Sequence, residues 1–122
     1  MTRNWVIIRK ILLSLEMAST PNAVVNANSI ADFPEQDVAY NMRLLSEAGY
    51  IEAKIMISNS GDGKINAAIA TRLTNTGHDL LDTMRNESVW NAIKEKFTSN
   101  GIDMTFDLVV SVGKKIIETM LS

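Results

Sequence analysis

The stretch EQDVAYNMRLLSEAGYI, residues 35–51, decides the fold. Val38, Met42 and Leu45 recur at i, i+4 and i+7, a spacing that places one apolar stripe along a helix. Gly49 follows as the residue that ends this helix, because glycine adopts the left-handed conformation at little cost. A β-rich run starts directly after it. We therefore predict a central helix that turns at once into a strand.

The β-rich run predicts a hairpin. Residues 50–57 and 65–73 have strand character, and the loop between them, residues 58–64, carries two glycines. Within this loop, GDGK at residues 61–64 faintly resembles a phosphate-binding loop. It lacks the full GxxxxGK[ST] pattern and opens no helix, so we interpret it as a hairpin tip.

The rest of the chain is mainly helical, so the predicted fold class is α+β. We expect a helix, a short strand, the central helix and the hairpin within residues 1–85. Residues 86–122 are expected to form a C-terminal helical extension that packs on this domain or dimerises. The predicted outer elements are helices at residues 4–17, 73–82, 89–98 and 105–121, and an extended segment at residues 23–30.

Composition excludes several classes of protein. The chain has 122 residues, 46% of them apolar, a net charge of −2 and no cysteine. No apolar run approaches the ~20 residues that a membrane span needs. The basic and then apolar start resembles a signal peptide, but Arg9 and Lys10 interrupt it and no small-x-small cleavage site follows. We expect a cytoplasmic protein without disulfides that makes no contact with a membrane.

The sequence offers little catalytic chemistry. His78 is the only histidine, and a catalytic base needs a nucleophile while a metal needs more ligands. The acidic residues show neither metal-ligand nor paired-carboxylate spacing, and there is no glycine-rich nucleotide fingerprint. We predict no enzymatic activity, no metal and no cofactor, and a packing or capping role for His78.

Two segments on either side of the hairpin carry a family resemblance. Residues 45–51, LSEAGYI, and 71–81, TRLTNTGHDLL, resemble the Leu-x-x-x-Gly-x-Ile and Leu-Thr-x-x-Gly-x-x-Leu-Leu signatures beside the wing of many bacterial winged helix-turn-helix regulators. The resemblance spans residues 4–85 and implies a recognition helix followed by a wing hairpin. One departure is that only residues 29–33 are available for the helix that precedes the recognition helix in those regulators.

A narrower resemblance spans nearly the whole chain. It is to a small family of bacteria and phages known only as a domain of unknown function, which implies a fold and a phage or prophage setting but no activity. The segments that carry it are residues 8–16, 37–45, 70–74 and 77–79, together with Trp90 and residues 94–96.

The winged-helix resemblance implies a set of binding residues. By position, the side chains facing a DNA groove or a partner would come from the central helix and the wing. Arg43 is the only cation among the helix positions, while Glu35 and Asp37 would approach phosphates, so the electrostatics for DNA are poor. The implied residues are Gln36, Ala39, Tyr40, Asn41 and Arg43 on the helix, and Lys54, Lys64 and Arg72 on the hairpin.

Two functions remain open at this point, and the fold analogy favours the first by a small margin. The first is a DNA-binding transcriptional regulator that inserts the central helix into double-stranded DNA. The second is a protein-protein interaction module that binds a host or phage protein, for example as an inhibitor or anti-defence factor. A basic stripe from Arg43 to Lys54, Lys64 and Arg72 would favour DNA, and a neutral or acidic one would favour protein.

The C-terminal helix predicts an assembly. Its apolar stripe is wide and long for a terminal helix, so it either packs back on the domain or pairs with another copy. We expect a homodimer through residues 105–121, with the glycine of the stripe allowing close approach. The stripe consists of Phe106, Val109, Val110, Gly113, Ile116, Ile117 and Met120.

Overall fold

A computed structural model describes all residues, 1–122. It contains five helices and a small three-stranded antiparallel sheet, so the expected α+β, mainly helical class is confirmed. The chain forms two compact units, residues Met1–Gly77 and His78–Ser122. No helix combines the length and the apolar character that crossing a membrane requires. The elements are α1 (Trp5–Glu16), β1 (Val25–Asn26), α2 (Glu35–Glu47), β2 (Ile51–Ile57), β3 (Ile65–Leu73), α3 (Asn75–Met84), α4 (Glu87–Asn100) and α5 (Phe106–Leu121).

Helix α1 starts at a side-chain cap. The Asn4 side-chain oxygen accepts hydrogen bonds from the backbone N–H groups of Val6 and Ile7, at 3.0 and 3.2 Å. Such a cap stabilises a helix by about 1 kcal/mol. The helix packs against α2 and β3. The side chains that it buries are Ile7, Ile8, Ile11, Leu12 and Leu15.

Helix α2 carries the core of the first unit. Val38, Met42 and Leu45 are all fully buried, as their spacing predicts. No side chain caps its start, where Pro34 occupies the cap position. Glu35 and Asp37 lie in the first turn, where the positive end of the helix dipole favours negative charge. The apolar stripe predicted from the sequence of α2 therefore lies in the core of the first unit.

Residues 23–30, expected to be extended, form a strand over only two residues. Val25 and Asn26 pair with β3, and a 3-10 turn follows at Ala27–Ser29. The Ser29 hydroxyl donates a hydrogen bond to the Asn26 carbonyl oxygen at 2.7 Å. A local bond of this kind competes with pairing in a sheet, which explains why the strand ends so early.

The sheet is built around the predicted hairpin. Its strand order is β1-β3-β2, so β3 lies in the middle, and Ile51 at the start of β2 faces Leu73 at the end of β3. At the tip, Gly61 and Gly63 have φ angles of 78° and 75°. Glycine adopts these angles readily, so the GDGK sequence forms a turn, as expected.

The base of the hairpin is closed at Tyr50. Its carbonyl oxygen accepts a hydrogen bond from the backbone N–H of Thr74 at 3.0 Å. The neighbouring Gly49 carbonyl oxygen accepts from the hydroxyls of Thr74 and Thr76. Gly77 passes so close that a Cβ atom there would lie 1.8 Å from the Tyr50 oxygen. Only glycine fits this position without movement of the backbone.

The second unit is helical, and α4 packs against α5. Helix α4 begins before the expected residue 89 because Asn86 caps it: the Asn86 side-chain oxygen accepts from the backbone N–H of Val89 at 3.1 Å. The helix ends at Gly101, which has a φ of 65°. Its apolar stripe is buried as predicted. The buried residues of α4 are Val89, Trp90, Ile93 and Phe97.

Candidate interaction surfaces

Gln36 is half-buried and already holds two hydrogen bonds within the protein. Its side-chain nitrogen donates to the carbonyl oxygen of Ile65 at 2.7 Å, and its side-chain oxygen accepts from the backbone N–H of Ile65 at 3.1 Å. The amide therefore ties the start of α2 to the start of β3. The donor and acceptor that would read a base edge are both engaged.

Asn41 and Ala39 do not lie on the surface, contrary to the prediction. The side chain of Asn41 is buried, accepts a hydrogen bond from the backbone N–H of Asn4 at 2.8 Å and donates to the Asp37 carbonyl oxygen at 2.8 Å. Ala39 is fully buried. The spacing explains the burial of Asn41, which lies three residues after Val38 and so belongs to the core stripe.

Arg43, the one cation expected on the recognition face, forms an ion pair within its own helix. Its Nε lies 3.0 Å from Oε1 of Glu47, an i,i+4 pair in which both side chains are partly exposed. Exposed pairs of this type stabilise a helix by about 0.3–0.5 kcal/mol. The pair is therefore weak, but the negative charge of Glu47 reduces the attraction that Arg43 alone would offer a phosphate. Tyr40, on the same helix, is half-buried.

Arg72 is also paired with a carboxylate. Its guanidinium donates to Glu52 at 2.8 Å across the β2–β3 ladder, where the two residues are opposite each other. The hydrogen bond from Arg72 holds the pKa of the Glu52 carboxyl below its ordinary value, and the same bond raises the pKa of Arg72. Both groups are exposed, so the pair marks a neutral point on the hairpin surface.

Lys54 and Lys64 are exposed and make no ion pair. Lys64 lies beside Asp62, whose side-chain oxygen accepts from the Lys64 backbone N–H at 2.9 Å. This bond, together with one from the Ser60 hydroxyl, lowers the pKa of Asp62 and keeps the carboxylate charged at the tip. The positive charge of Lys64 is thus offset by the neighbouring carboxylate of Asp62.

The surface charge of the first unit is balanced. Residues 1–77 contain seven Lys and Arg and seven Asp and Glu. Two of the four cations in the proposed stripe, Arg43 and Arg72, are paired with carboxylates. No continuous basic stripe runs from α2 across the hairpin.

Two large apolar side chains are exposed near the hairpin tip. Met56 is 53% exposed and Ile57 is 46% exposed, at the end of β2. Lys54 is exposed on the same strand two residues before Met56. Their sequence pattern predicts a strand and does not by itself indicate an exposed apolar surface. A signal for this surface was still available: β2 changes from alternation to a continuous apolar run at residues 55–57, more than a half-buried strand needs.

The C-terminal stripe lies partly inside the second unit. Val109 and Gly113 are buried, and a Cβ atom at Gly113 would lie 2.7 Å from side-chain atoms of Thr83 and 3.1 Å from Ile93. The close approach that we expected between two copies is therefore made within one chain. Of the remaining stripe residues, Phe106, Val110, Ile116 and Ile117 are half-buried and Met120 is exposed.

No three His, Cys, Asp or Glu side chains come together in a group that could hold a metal ion. His78 is exposed, in the first turns of α3. These observations leave the surfaces of α2, the hairpin and α5 as the candidate functional regions.

The geometry defines a small α+β protein with a helix-and-hairpin surface in its first unit and a helical surface in its second. The family model described as "Hypothetical protein (DUF2513)" matches residues 2–103, so the chain belongs to the DUF2513 family. The expected membership of a family of unknown function is thereby confirmed. A protein of Haemophilus influenzae described as "Uncharacterized protein" is 38% identical over 122 residues, the whole of both chains. No solved structure matches.

Proposed function

We propose that the chain is a non-enzymatic, winged-helix-like protein of phage or prophage type, and that its first unit binds another protein in the cytoplasm. The order of elements supports the winged-helix part: a helix, a short strand, a central helix and a hairpin follow one another as the resemblance implies. The 3-10 turn Ala27–Ser29 stands where the regulators have a full helix before the recognition helix.

The observation that carries the protein-binding role is the engagement of the polar side chains on α2. Gln36 and Asn41, the two amides that could read adenine edges, are bonded to backbone groups of the protein itself. Freeing them would leave buried or half-buried partners without hydrogen bonds, at about 1–3 kcal/mol each. Sequence-specific reading by this helix would therefore begin with a loss of stability.

The charge balance of the first unit and the surface of its hairpin also support protein binding over DNA binding. Binding to DNA draws most of its affinity from cations that neutralise phosphates, and the first unit has as many acidic as basic residues. Exposed Met56, on the same face of β2 as the cation Lys54, instead offers the mixture of apolar centre and polar edge that is typical of protein interfaces. A host or phage protein that docks on the hairpin is the partner that fits this surface.

The test is capture of a partner from nuclease-treated bacterial lysate, followed by titration of the purified partner against the full-length chain. Met56→Glu should weaken the complex by at least about tenfold, because it places a charge in the apolar centre. Met17→Glu places the same charge at an exposed methionine outside the hairpin, directly after α1, and should leave the affinity unchanged. A complex that nuclease destroys, or that tolerates Met56→Glu as well as Met17→Glu, would contradict the proposal.

A second candidate function is DNA-binding transcriptional regulation. It is favoured by the exposure of Lys54 and Lys64 without ion pairs on a hairpin that follows the central helix directly. In this case Arg43 would exchange its Glu47 partner for a phosphate. Binding to a random-sequence duplex should then be measurable by fluorescence anisotropy and fall steeply with salt.

The two candidates separate in that one measurement. If DNA is bound, Arg43→Ala and Lys54→Ala should each weaken binding and reduce the salt slope by about 1. Arg85→Ala, a cation of the second unit, serves as the matched control. No association at about 50 mM salt, where electrostatic attraction is strong, would remove the DNA candidate.

A further inference from the structure

A groove runs between α4 and α5 on the second unit. Four apolar residues of α5 line it at a strict spacing of four: Leu108, Val112, Ile116 and Met120. Ile102, in the turn between the two helices, adds to one end. We call this the α4–α5 groove. It consists of two adjoining cavities of about 320 and 180 Å³, which share Val112 as a wall.

Most of the exposed large apolar side chains of the second unit line this groove. In residues 78–122 the exposed large hydrophobic side chains are Ile102, Leu108, Met120 and Leu121. The first three line the groove, and the last directly follows Met120. Single exposed apolar residues are ordinary on a protein surface, but a contiguous row along a concave face is typical of a binding site. The row also differs from the buried Val109 and Gly113 stripe, which packs within the unit.

Two lysines flank the apolar row. Lys96 of α4 lines both cavities, and Lys115 of α5 lines the larger one. No carboxylate lines either cavity, and neither lysine forms an ion pair. The groove is thus an apolar channel with positive edges, in a unit that carries five basic and seven acidic residues in total. A ligand that complements it is apolar along one side and negative along the flanks.

The shape of the row favours a helix as the occupant. From Leu108 to Met120 the row extends over twelve residues of helix, about 18 Å at 1.5 Å per residue. A partner helix presents apolar side chains at i, i+4 and i+7 along such a groove and charged side chains beside them. A second copy of this chain is a poor occupant, because a two-fold interface would bring Lys96 and Lys115 of both copies together.

We propose that the α4–α5 groove binds an acidic amphipathic helix of a partner protein. The apolar side of that helix fills the groove above Val112 and Ile116, and its Asp or Glu residues pair with Lys96 and Lys115. The inference concerns the second unit alone, and it stands or falls independently of what the hairpin binds.

The experiment starts from a display library of random 16-residue peptides selected on the full-length chain. The recovered peptides should carry apolar residues at helical spacing and a net negative charge. The best of them is then labelled, and its affinity is measured by fluorescence anisotropy. A copy with each Asp and Glu replaced by Lys should bind at least about tenfold more weakly.

Charge reversal on the protein makes the test specific. The double variant Lys96→Glu, Lys115→Glu should lose at least about tenfold in affinity for the acidic peptide and gain affinity for the lysine copy. Lys114→Glu is the matched control, since Lys114 is exposed on the same helix and lines neither cavity. Circular dichroism melting curves establish that the variants are folded.

Four results would overturn the proposal. One is that no peptide is recovered, or that the recovered peptides are basic. Another is that the charge-reversed protein binds the acidic peptide as well as the Lys114→Glu control does. A third is that sedimentation shows a dimer of the native chain that Met120→Glu separates, which would make a second copy the occupant. The last is binding to vesicles of anionic lipid that Met120→Glu abolishes, with no peptide bound.

Discussion

The buried side chain of Asn41, in α2, binds the backbone of Asn4, the residue that caps α1. Its oxygen accepts the backbone N–H of Asn4 at 2.8 Å, while the Asn4 side chain caps the start of α1. The same amide donates to the Asp37 carbonyl oxygen one turn earlier in α2. One side chain in the core of α2 therefore positions the first turn of α1.

Asn41→Ala should lower the free energy of unfolding by about 1–3 kcal/mol, because the Asn4 N–H loses its partner in a part-buried place. Urea titration followed by circular dichroism measures this. Asn59→Ala, in the exposed hairpin loop, should stay within about 0.5 kcal/mol of the native protein. Equal midpoints for the two variants would show that water replaces the Asn41 oxygen without cost.

Gly77→Ala should destabilise the first unit by more than about 2 kcal/mol. The new Cβ atom would lie 1.8 Å from the Tyr50 carbonyl oxygen, a backbone atom, so the start of α3 must move away from the hairpin. Thermal unfolding measures the loss. His78→Ala, at the exposed next position, is the control and should have little effect. A Gly77→Ala variant with the native melting temperature would mean that this close approach is wrong.

Arg72→Gln should raise the pKa of Glu52 toward its ordinary value of 4.5. The folded state holds that pKa low, so the stabilisation by the pair is present above pH 4.5 and is lost as pH falls through the lowered pKa. Because both groups are exposed, we expect the change in the titration curve of Glu52 and little change in the free energy of unfolding. An NMR titration of the Glu52 carboxyl measures it, with Arg43→Gln as the variant that should leave Glu52 unchanged.

Val109→Asp and Met120→Asp should have very different effects on the free energy of unfolding. Val109 is fully buried, so an unpaired carboxylate there should cost more than about 3 kcal/mol and loosen the packing of α5. Met120 is 60% exposed, and its replacement should leave the melting curve near that of the native chain. If Val109→Asp instead kept the native stability and split a dimer in sedimentation, the stripe would belong to an interface between copies.

The central helix and the hairpin could be predicted closely because their signals are local. The Val38, Met42 and Leu45 spacing, the terminating Gly49 and the glycines of the tip each act through their own neighbours. Helix α2 ends at Glu47, and the strands Ile51–Ile57 and Ile65–Leu73 lie within a residue of the expected ranges.

The candidate sites were harder because they depend on contacts far apart in the sequence. Gln36 meets Ile65 and Asn41 meets Asn4 only after folding, so a list of polar residues on a helix does not reveal which of them are engaged. Asn41 could still have been assigned to the core from its spacing to Val38. Which face of α5 is buried could not be predicted from the sequence. The row that contains Val109 and Gly113 and the row that contains Leu108 and Val112 both have helical periodicity.

The closed base of the hairpin has a consequence for variation among relatives. Tyr50 and Gly49 hold Thr74 and Thr76 by hydrogen bonds, so the two strands start and finish at fixed points. Any residues added in the loop at 58–64 extend the tip outward and leave the register at Ile51 and Leu73 unchanged. Insertions and deletions in this family are therefore expected to collect at the tip, and a reporter peptide can be inserted there with the rest of the fold intact.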